Sequence, residues 1–210
     1  MADLEKISEM MQKGKAADVK ELCQAALDDN VEAQTILDDA LLAAMSIVGV
    51  KFKNNQVFVP EVLIAARAMN AGLEILKPHL KSEDTKGNGK AVIGTVKGDL
   101  HDIGKNLVKI MMEGKGLEVI DLGSDVTPEK YVEAAKEHNA DIIALSALLT
   151  TTMTQMGNVV KAAEDAGIRD KVTIMIGGAP ITQSFCESIG ADIYTPDAAT
   201  ASDKALEVCS

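Results

Sequence analysis

From Ala91 onward the chain alternates short apolar runs with helical patterns, five times over, and few folds accommodate that rhythm. The runs fall at 91–96 (Ala91-Val92-Ile93-Gly94-Thr95-Val96), 117–122, 142–145 and 172–176, with a weaker one at 191–194. Helical patterns follow at 105–114, 128–138, 153–166, 181–189 and 197–208. Thr127 and Pro128 read as the N-cap and first turn of one of them. Five such units imply a parallel sheet with helices on both faces. For five strands the common order is flavodoxin-like (Rossmann-type), 2-1-3-4-5. Strands 1, 3 and 4 then lie side by side, and the crevice at the switch point between strands 1 and 3 is where ligands bind.

The first eighty residues carry a different pattern. Leu4, Ile7, Met10 and Met11 recur at helical spacing, and Gly14 closes the run. A second stripe runs from Val19 to Leu27, a third from Leu37 to Val48, and a fourth from Val62 to Leu76. Pro60 suits the first turn of the fourth helix, and Pro78 marks its end. Four amphipathic helices with short loops predict a four-helix bundle. Aromatic residues make up only 2% of the chain, so its cores must be filled by Ala, Val, Ile, Leu and ten Met. The stretch before Ala91 is polar and Gly-containing and reads as a linker. The expected organisation is a helical domain over 1–81, a linker over 82–90 and an α/β domain over 91–210.

The predicted strand order brings three unusual loops to one edge. The first carries Gly98-Asp99-Leu100-His101-Asp102-Ile103-Gly104, the second is the hydroxyl-rich run from Ser146 to Met153, and the third is Gly177-Gly178-Ala179-Pro180. The loop after strand 2, Gly123-Ser124-Asp125, reads as ordinary. Each loop also has a plain reading: a solvated His, a helix N-cap at Asp99, a Ser/Thr cap cluster before helix 153–166, and a tight turn at Gly177-Gly178. A single His cannot build a zinc site, which takes three or four protein ligands. The other two histidines, His79 and His138, fall at helix ends. One His toward one metal position points to a macrocycle that supplies the remaining ligands itself. Asp99, two residues earlier, can accept from the second ring nitrogen and fix the tautomer.

The set Asp99-x-His101-x-x-Gly104, Ser146-x-Leu148 and Gly177-Gly178 resembles the three-part signature of cobalamin-binding domains of the methionine-synthase type. The run Val96-Lys97-Gly98-Asp99-Leu100-His101-Asp102-Ile103-Gly104-Lys105-Asn106 is especially close, and the preceding helices resemble the helical cap of those modules. The resemblance implies a corrinoid, cobalamin or a cobamide with another lower base, held base-off and His-on. It makes His101 the lower axial ligand to cobalt, bonded by Asp99, with Thr152 where the family often has Ser. Ser146, Leu148, Gly177 and Gly178 would line the slot for the nucleotide tail. Asp102, Ile103, Gly104 and Thr150 complete the cofactor-binding candidates. Phe58 would shield the upper face of the corrin, or else it is a core aromatic of the bundle.

The resemblance further implies a methyl carrier that cycles between cob(I) and methyl-cob(III). Chains of this build resemble the corrinoid subunits of three-component systems acting on methanol, methylamines or methoxylated aromatics. The bundle and the corrinoid domain take up the whole sequence, so the expectation is a protein that is not catalytic alone. Its expected partners are a substrate:corrinoid methyltransferase, a corrinoid:tetrahydrofolate or other acceptor methyltransferase, and a reductive activator. A formal net charge of −11 argues against a nucleic-acid partner. No apolar run approaches the roughly 20 residues of a membrane span. No signal-peptide pattern opens the chain, and Cys23, Cys186 and Cys209 form no CxxC pair, which together predict a cytoplasmic protein. A corrinoid-dependent sensor is the alternative function. A metal phosphohydrolase built on the His101-Asp102 pair fits less well, because further His ligands are remote. A flavodoxin-like phosphate site lacks its cradle, since the first loop has no Ser or Thr and Asp141 begins a strand instead of ending one.

Overall fold

The computed structural model describes residues 3–80 and 88–209. Of these, 3–80 and 114–116 fall in one compact unit, and 88–113 and 117–209 in another. Residues 82–87 of the expected linker lie outside the described residues.

The first unit is helical. Helix α1, Leu4–Gln12, starts where the Asp3 carboxylate accepts the Lys6 amide at 3.0 Å. It ends at Gly14, whose φ of +69° lets the Lys15 amide reach back to the Met10 carbonyl. Helix α2, Ala16–Asp28, stops in the same manner at Asn30, with φ +62°. Helix α3 covers 33–53 and contains a π-helical stretch, Leu37–Leu42, between two α-helical parts. It starts four residues before the predicted stripe, because Ala33 and Ile36 are buried and extend the apolar face. The wider π turn rotates that face partway along the helix, which blurs a simple 3.6-residue period. Helix α4, Val59–Leu76, has Pro60 in its first turn, and the Glu61 carboxylate accepts the Phe58 amide at 2.6 Å. Ile7, Met11, Val19, Cys23, Leu41, Met45, Val62 and Leu76 are buried in this unit. Phe58 is 62% exposed, so the reading of it as a core aromatic is wrong.

The second unit is the expected open sheet. Strands β1 (Lys90–Thr95), β2 (Glu118–Asp121), β3 (Ile142–Ser146), β4 (Thr173–Gly177) and β5 (Ile193–Tyr194) pair in parallel in the order β2-β1-β3-β4-β5. Helices α5 (Ile103–Glu113), α6 (Pro128–His138), α7 (Gln155–Asp165), α8 (Gln183–Ile189) and α9 (Ala198–Cys209) connect and follow them. Alternate strand residues face opposite sides. Val92, Ile143 and Ile174 pack with Tyr131 of α6, Met156 of α7 and Cys186 of α8. Ala91, Ile93, Ala144 and Met175 pack with Met112 of α5 and Ala205 of α9.

Strand limits differ slightly from the apolar runs. β1 begins at Lys90, inside the expected linker, because its amide donates to Asp141 Oδ2 at 2.8 Å and its backbone pairs with Glu118. Backbone pairing does not require an apolar side chain. Register aligns Thr95 with Ser146 and Ser146 with Gly177, so three strands end level with one another. Among the described residues no helix is long and apolar enough to cross a membrane.

Candidate functional site

Beyond Thr95 the chain leaves the sheet in a tight turn. The Val96 amide still donates to the Ser146 carbonyl, Gly98 takes φ +82°, and the Asp99 amide donates to the Val96 carbonyl at 3.1 Å. That turn drives Asp99 inward, where it is 0% exposed. A buried carboxylate is costly unless hydrogen-bonded. Here Oδ2 accepts from the amides of Leu148 at 2.9 Å and Leu149 at 3.2 Å and from the Thr152 hydroxyl at 2.7 Å. Oδ1 accepts from the His101 amide at 3.1 Å and contacts the His101 ring Nδ1 at 2.7 Å. Burial pushes this carboxyl up, yet the bonds from Thr152, His101 and Leu148 outweigh it and hold it well below the usual carboxylate range.

That ionisation fixes the histidine. A carboxylate can only accept, so Nδ1 carries a proton and donates it to Asp99. Nε2 on the far side of the ring is then the nitrogen with a lone pair to offer a metal or a proton. The His101 side chain is 52% exposed, while its backbone is anchored by the Thr95 hydroxyl, which donates to the His101 carbonyl at 3.0 Å. Large apolar side chains nearby in the chain are open to solvent: Leu100 at 73% and Ile103 at 77% exposed on either side of the His101-Asp102 pair, and Leu148 and Leu149 in the segment whose amides bond Asp99. A polar pair with exposed apolar groups beside it suits a ligand that offers both apolar surface and a group for an imidazole to meet. Among the described residues no group of three or more His, Cys, Asp or Glu side chains is arranged to hold a metal ion.

The remaining candidates take the following places. Ser146 ends β3 between Thr95 and Gly177. Leu148 offers its amide to Asp99 and exposes its side chain, and Thr150 lies in the exposed turn after it. Gly177 ends β4, and Gly178 has φ +136°. A Cβ on Gly178 would press into the Ala147 carbonyl oxygen, so the β3 and β4 loops meet backbone to backbone there. Ile103 and Gly104 open α5, and a Cβ on Gly104 would meet nothing within 4 Å. Asp102 belongs to the start of α5: its carbonyl accepts the Asn106 amide at 2.8 Å, and its carboxylate accepts the Asn106 side chain at 3.2 Å. Phe58 lies in the helical unit.

Several plain readings fail. Asp99 is not a helix cap, because α5 begins four residues later and the carboxylate is spent on His101 and the 148–152 segment. The hydroxyl run does not cap α7, since Thr154 makes no capping bond and Thr152 turns to Asp99. Thr127 stands at the N-cap of α6 but its hydroxyl makes no bond to the helix backbone there. The loop after strand 2 is not ordinary. The Gly98 amide donates to Asp125 Oδ1 at 2.7 Å, and the Asp125 amide donates to the Asp99 carbonyl at 3.0 Å. Its sequence signal is a lone Asp after Gly-Ser, which any turn can carry.

Residues 89–204 match a B12 binding domain family, and residues 3–77 match a second B12 binding domain family. The chain is 45% identical to trimethylamine corrinoid protein 1 of Methanosarcina acetivorans over 85% of its own length and 82% of the relative's. It is also 45% identical to the dimethylamine corrinoid protein of Methanosarcina barkeri, over 85% and 84% respectively. Among solved structures, a chain of the methanol:cobalamin methyltransferase complex MtaBC from Methanosarcina barkeri superposes with a TM-score of 0.89 at 31% identity, covering 97% of this chain and 78% of that one.

Proposed function

The chain belongs to the corrinoid proteins of methyltransferase systems, built on B12-binding domains, and we propose that it carries a methyl group between two partner methyltransferases. A corrinoid bound here supplies cobalt, whose reduced form is a strong nucleophile toward methyl groups. The single observation that carries the reading is the Asp99–His101 pair, with Nδ1 engaged by the buried carboxylate at 2.7 Å on a side chain that is half exposed.

We assign His101 as the protein's axial ligand to cobalt, with cobalamin or a related cobamide held base-off. Asp99 keeps the ring in the tautomer that can ligate and raises the electron density at Nε2. Thr152 and the amides of Leu148 and Leu149 hold Asp99 ionised as the acceptor for Nδ1, which would leave Nε2 of His101 as the nitrogen that holds the cofactor's metal. Leu100, Ile103, Leu148 and Leu149 give the macrocycle an apolar seat that excludes water. Gly104, whose flank is open, would allow close approach of the cofactor, and Gly177 and Gly178, at the end of β4 beside Ser146, are the candidates for lining the slot of its tail. Asp102, at the helix start, is an edge contact, and Thr150 a further polar one. Within the chain no second acid–base constellation is needed for this role, since activation of the methyl donor belongs to a partner.

The relatives named for trimethylamine and dimethylamine, and the methanol complex, support a substrate-specific methyltransferase as donor partner. A second methyltransferase, for tetrahydrofolate or another acceptor, takes the methyl group onward, and a reductive activator restores the reduced cofactor. The test is reconstitution. Corrinoid-loaded, reduced protein is mixed with methylamine or methanol, with and without the cognate methyltransferase. Cofactor methylation should need the methyltransferase. Demethylation of substrate by this chain alone would contradict the carrier role.

A further inference from the structure

The loop that carries His101 is fastened at both ends to one neighbouring segment, residues 121–126, which runs from the last residue of β2 into the turn before α6. At its start two bonds run in opposite directions: Gly98 amide to Asp125 Oδ1 at 2.7 Å, and Asp125 amide to Asp99 carbonyl at 3.0 Å. The same turn prolongs the sheet past its last strand residue. The Thr95 amide donates to the Gly123 carbonyl at 2.9 Å, and the Val126 amide donates to the Thr95 carbonyl at 3.0 Å. Just after the loop, the buried ammonium of Lys105 pairs with Asp121, whose Oδ1 also accepts the Gly123 amide at 2.9 Å. Asp125 has φ +56°, a conformation that Gly, Asn and Asp adopt most readily among residues.

None of these bonds touches the imidazole. The two made by Asp125 act on the backbone of residues 98 and 99, and Asp99 is what holds Nδ1 of the ring. A ligand group is effective when its supports are fixed before the partner arrives, because otherwise the ordering cost is taken from binding.

We propose that Asp125 is a positioning residue for His101: its carboxylate and amide lock the Gly98-Asp99 backbone so that the Asp99 carboxylate meets the ring already in place. This rests on the assignment of His101 as the axial ligand. The contribution of Asp125 is to preorganise the axial bond, not to touch the cofactor.

Two substitutions separate the carboxylate from the backbone conformation. Both Asn and Gly tolerate positive φ at position 125. Asp125→Asn keeps an oxygen acceptor for the Gly98 amide, and Asp125→Gly removes it. Hydroxocobalamin is titrated into the cofactor-free full chain, with His101→Ala as the spectral reference for a lost axial His. Asp125→Gly should bind about tenfold more weakly, equivalent to about 1.4 kcal/mol, with its visible spectrum shifted toward that of His101→Ala. Asp125→Asn should stay within about threefold of the parent and keep its spectrum. Amide exchange in the cofactor-free protein reads the same contact directly: the Gly98 amide should exchange fastest in Asp125→Gly and at an intermediate rate in Asp125→Asn. Parental affinity, spectrum and exchange in Asp125→Gly overturn the inference and leave the His101 assignment standing. If Asp125→Gly does not fold, Gly98 exchange in Asp125→Asn equal to the parent overturns it. A parental spectrum that His101→Ala leaves unchanged overturns the ligand assignment, and this inference with it.

Discussion

Replacing Asp99 with Asn perturbs the His101 loop most sharply, because one buried carboxylate serves five donors. An Asn side chain keeps one oxygen and brings two N–H donors. Suppose its oxygen takes the Oδ2 place. The amides of Leu148 and Leu149 and the Thr152 hydroxyl are then kept, but the NH2 group faces the His101 amide and ring. Nδ1 must become the acceptor, the tautomer reverses, and Nε2 carries the proton that ligation must remove. In the opposite orientation the NH2 group confronts three donors in a site closed to water, which is worse. The first arrangement loses the bond from the His101 amide and turns charge-assisted bonds into neutral ones. Hydrogen bonds to charged groups contribute about 1.5–3 kcal/mol each and neutral ones about 1, so three bonds turned neutral and one lost give an expected loss of stability of about 3 kcal/mol or more. For a chain of this size that lowers Tm by about 6–12 °C. Calorimetry of the cofactor-free protein measures that loss, and the visible spectrum of the cobalamin-loaded protein measures the axial bond. A Tm within about 1 °C of the parent, together with a parental spectrum, would refute the argument that Asp99 sets both the loop and the tautomer.

Other outcomes follow from the same geometry. In Asp99 the upward push of burial is outweighed by the bonds from Thr152 and His101, and in Asp121 by those from Lys105 and the Gly123 amide, so both carboxyls are held below their ordinary value. As pH falls the unfolded chain therefore takes up protons first; the stability from these groups is full above about pH 5 and drains away as pH drops through about 4 and below. Acid melts of the parent should be steeper in that window than those of Asp99→Asn, and parallel curves would contradict the assignment. Gly178→Ala should cost about 3 kcal/mol or more, since it combines a φ of +136° with a Cβ pressed into the Ala147 carbonyl; denaturant unfolding that shows a loss under about 1 kcal/mol counts against that packing. Gly104→Ala should leave stability unchanged or raise it by up to about 1 kcal/mol, because its Cβ meets nothing within 4 Å. It should also weaken cobalamin binding about tenfold if that open flank is where the cofactor passes, and equal affinities in a titration would remove Gly104 from the site.

The sheet was legible in the sequence because fully buried parallel strands read as bare apolar runs, and Val92, Ile143 and Ile174 lie in such runs. The order of the strands then brought Asp99, His101, Ser146 and Gly177 to one edge, an expectation that the register of Thr95, Ser146 and Gly177 meets. What the residues alone left open was how each hydroxyl and carboxylate is spent. Thr152 and Thr154 look alike in a Ser/Thr-rich run, and only the turn at 149–153 decides that Thr152 reaches Asp99. Asp125 was illegible for a related reason, since it works through backbone amides of residues 98 and 99, which leave no side-chain pattern. The early start of α3 escaped because a π turn at Leu37–Leu42 breaks the spacing that a helical stripe depends on.

The central claim is that His101 joins this chain to the metal of a corrinoid, and one spectrum tests it most directly. Cobalamin-loaded parent and His101→Ala are compared in the visible region, with nitrogen hyperfine structure in the cob(II) electron paramagnetic resonance spectrum as the element-specific readout. The account predicts one axial nitrogen in the parent, supplied by the protein, and its loss in His101→Ala. An axial nitrogen that persists in His101→Ala, or that comes from the cofactor's own base in the parent, would contradict it.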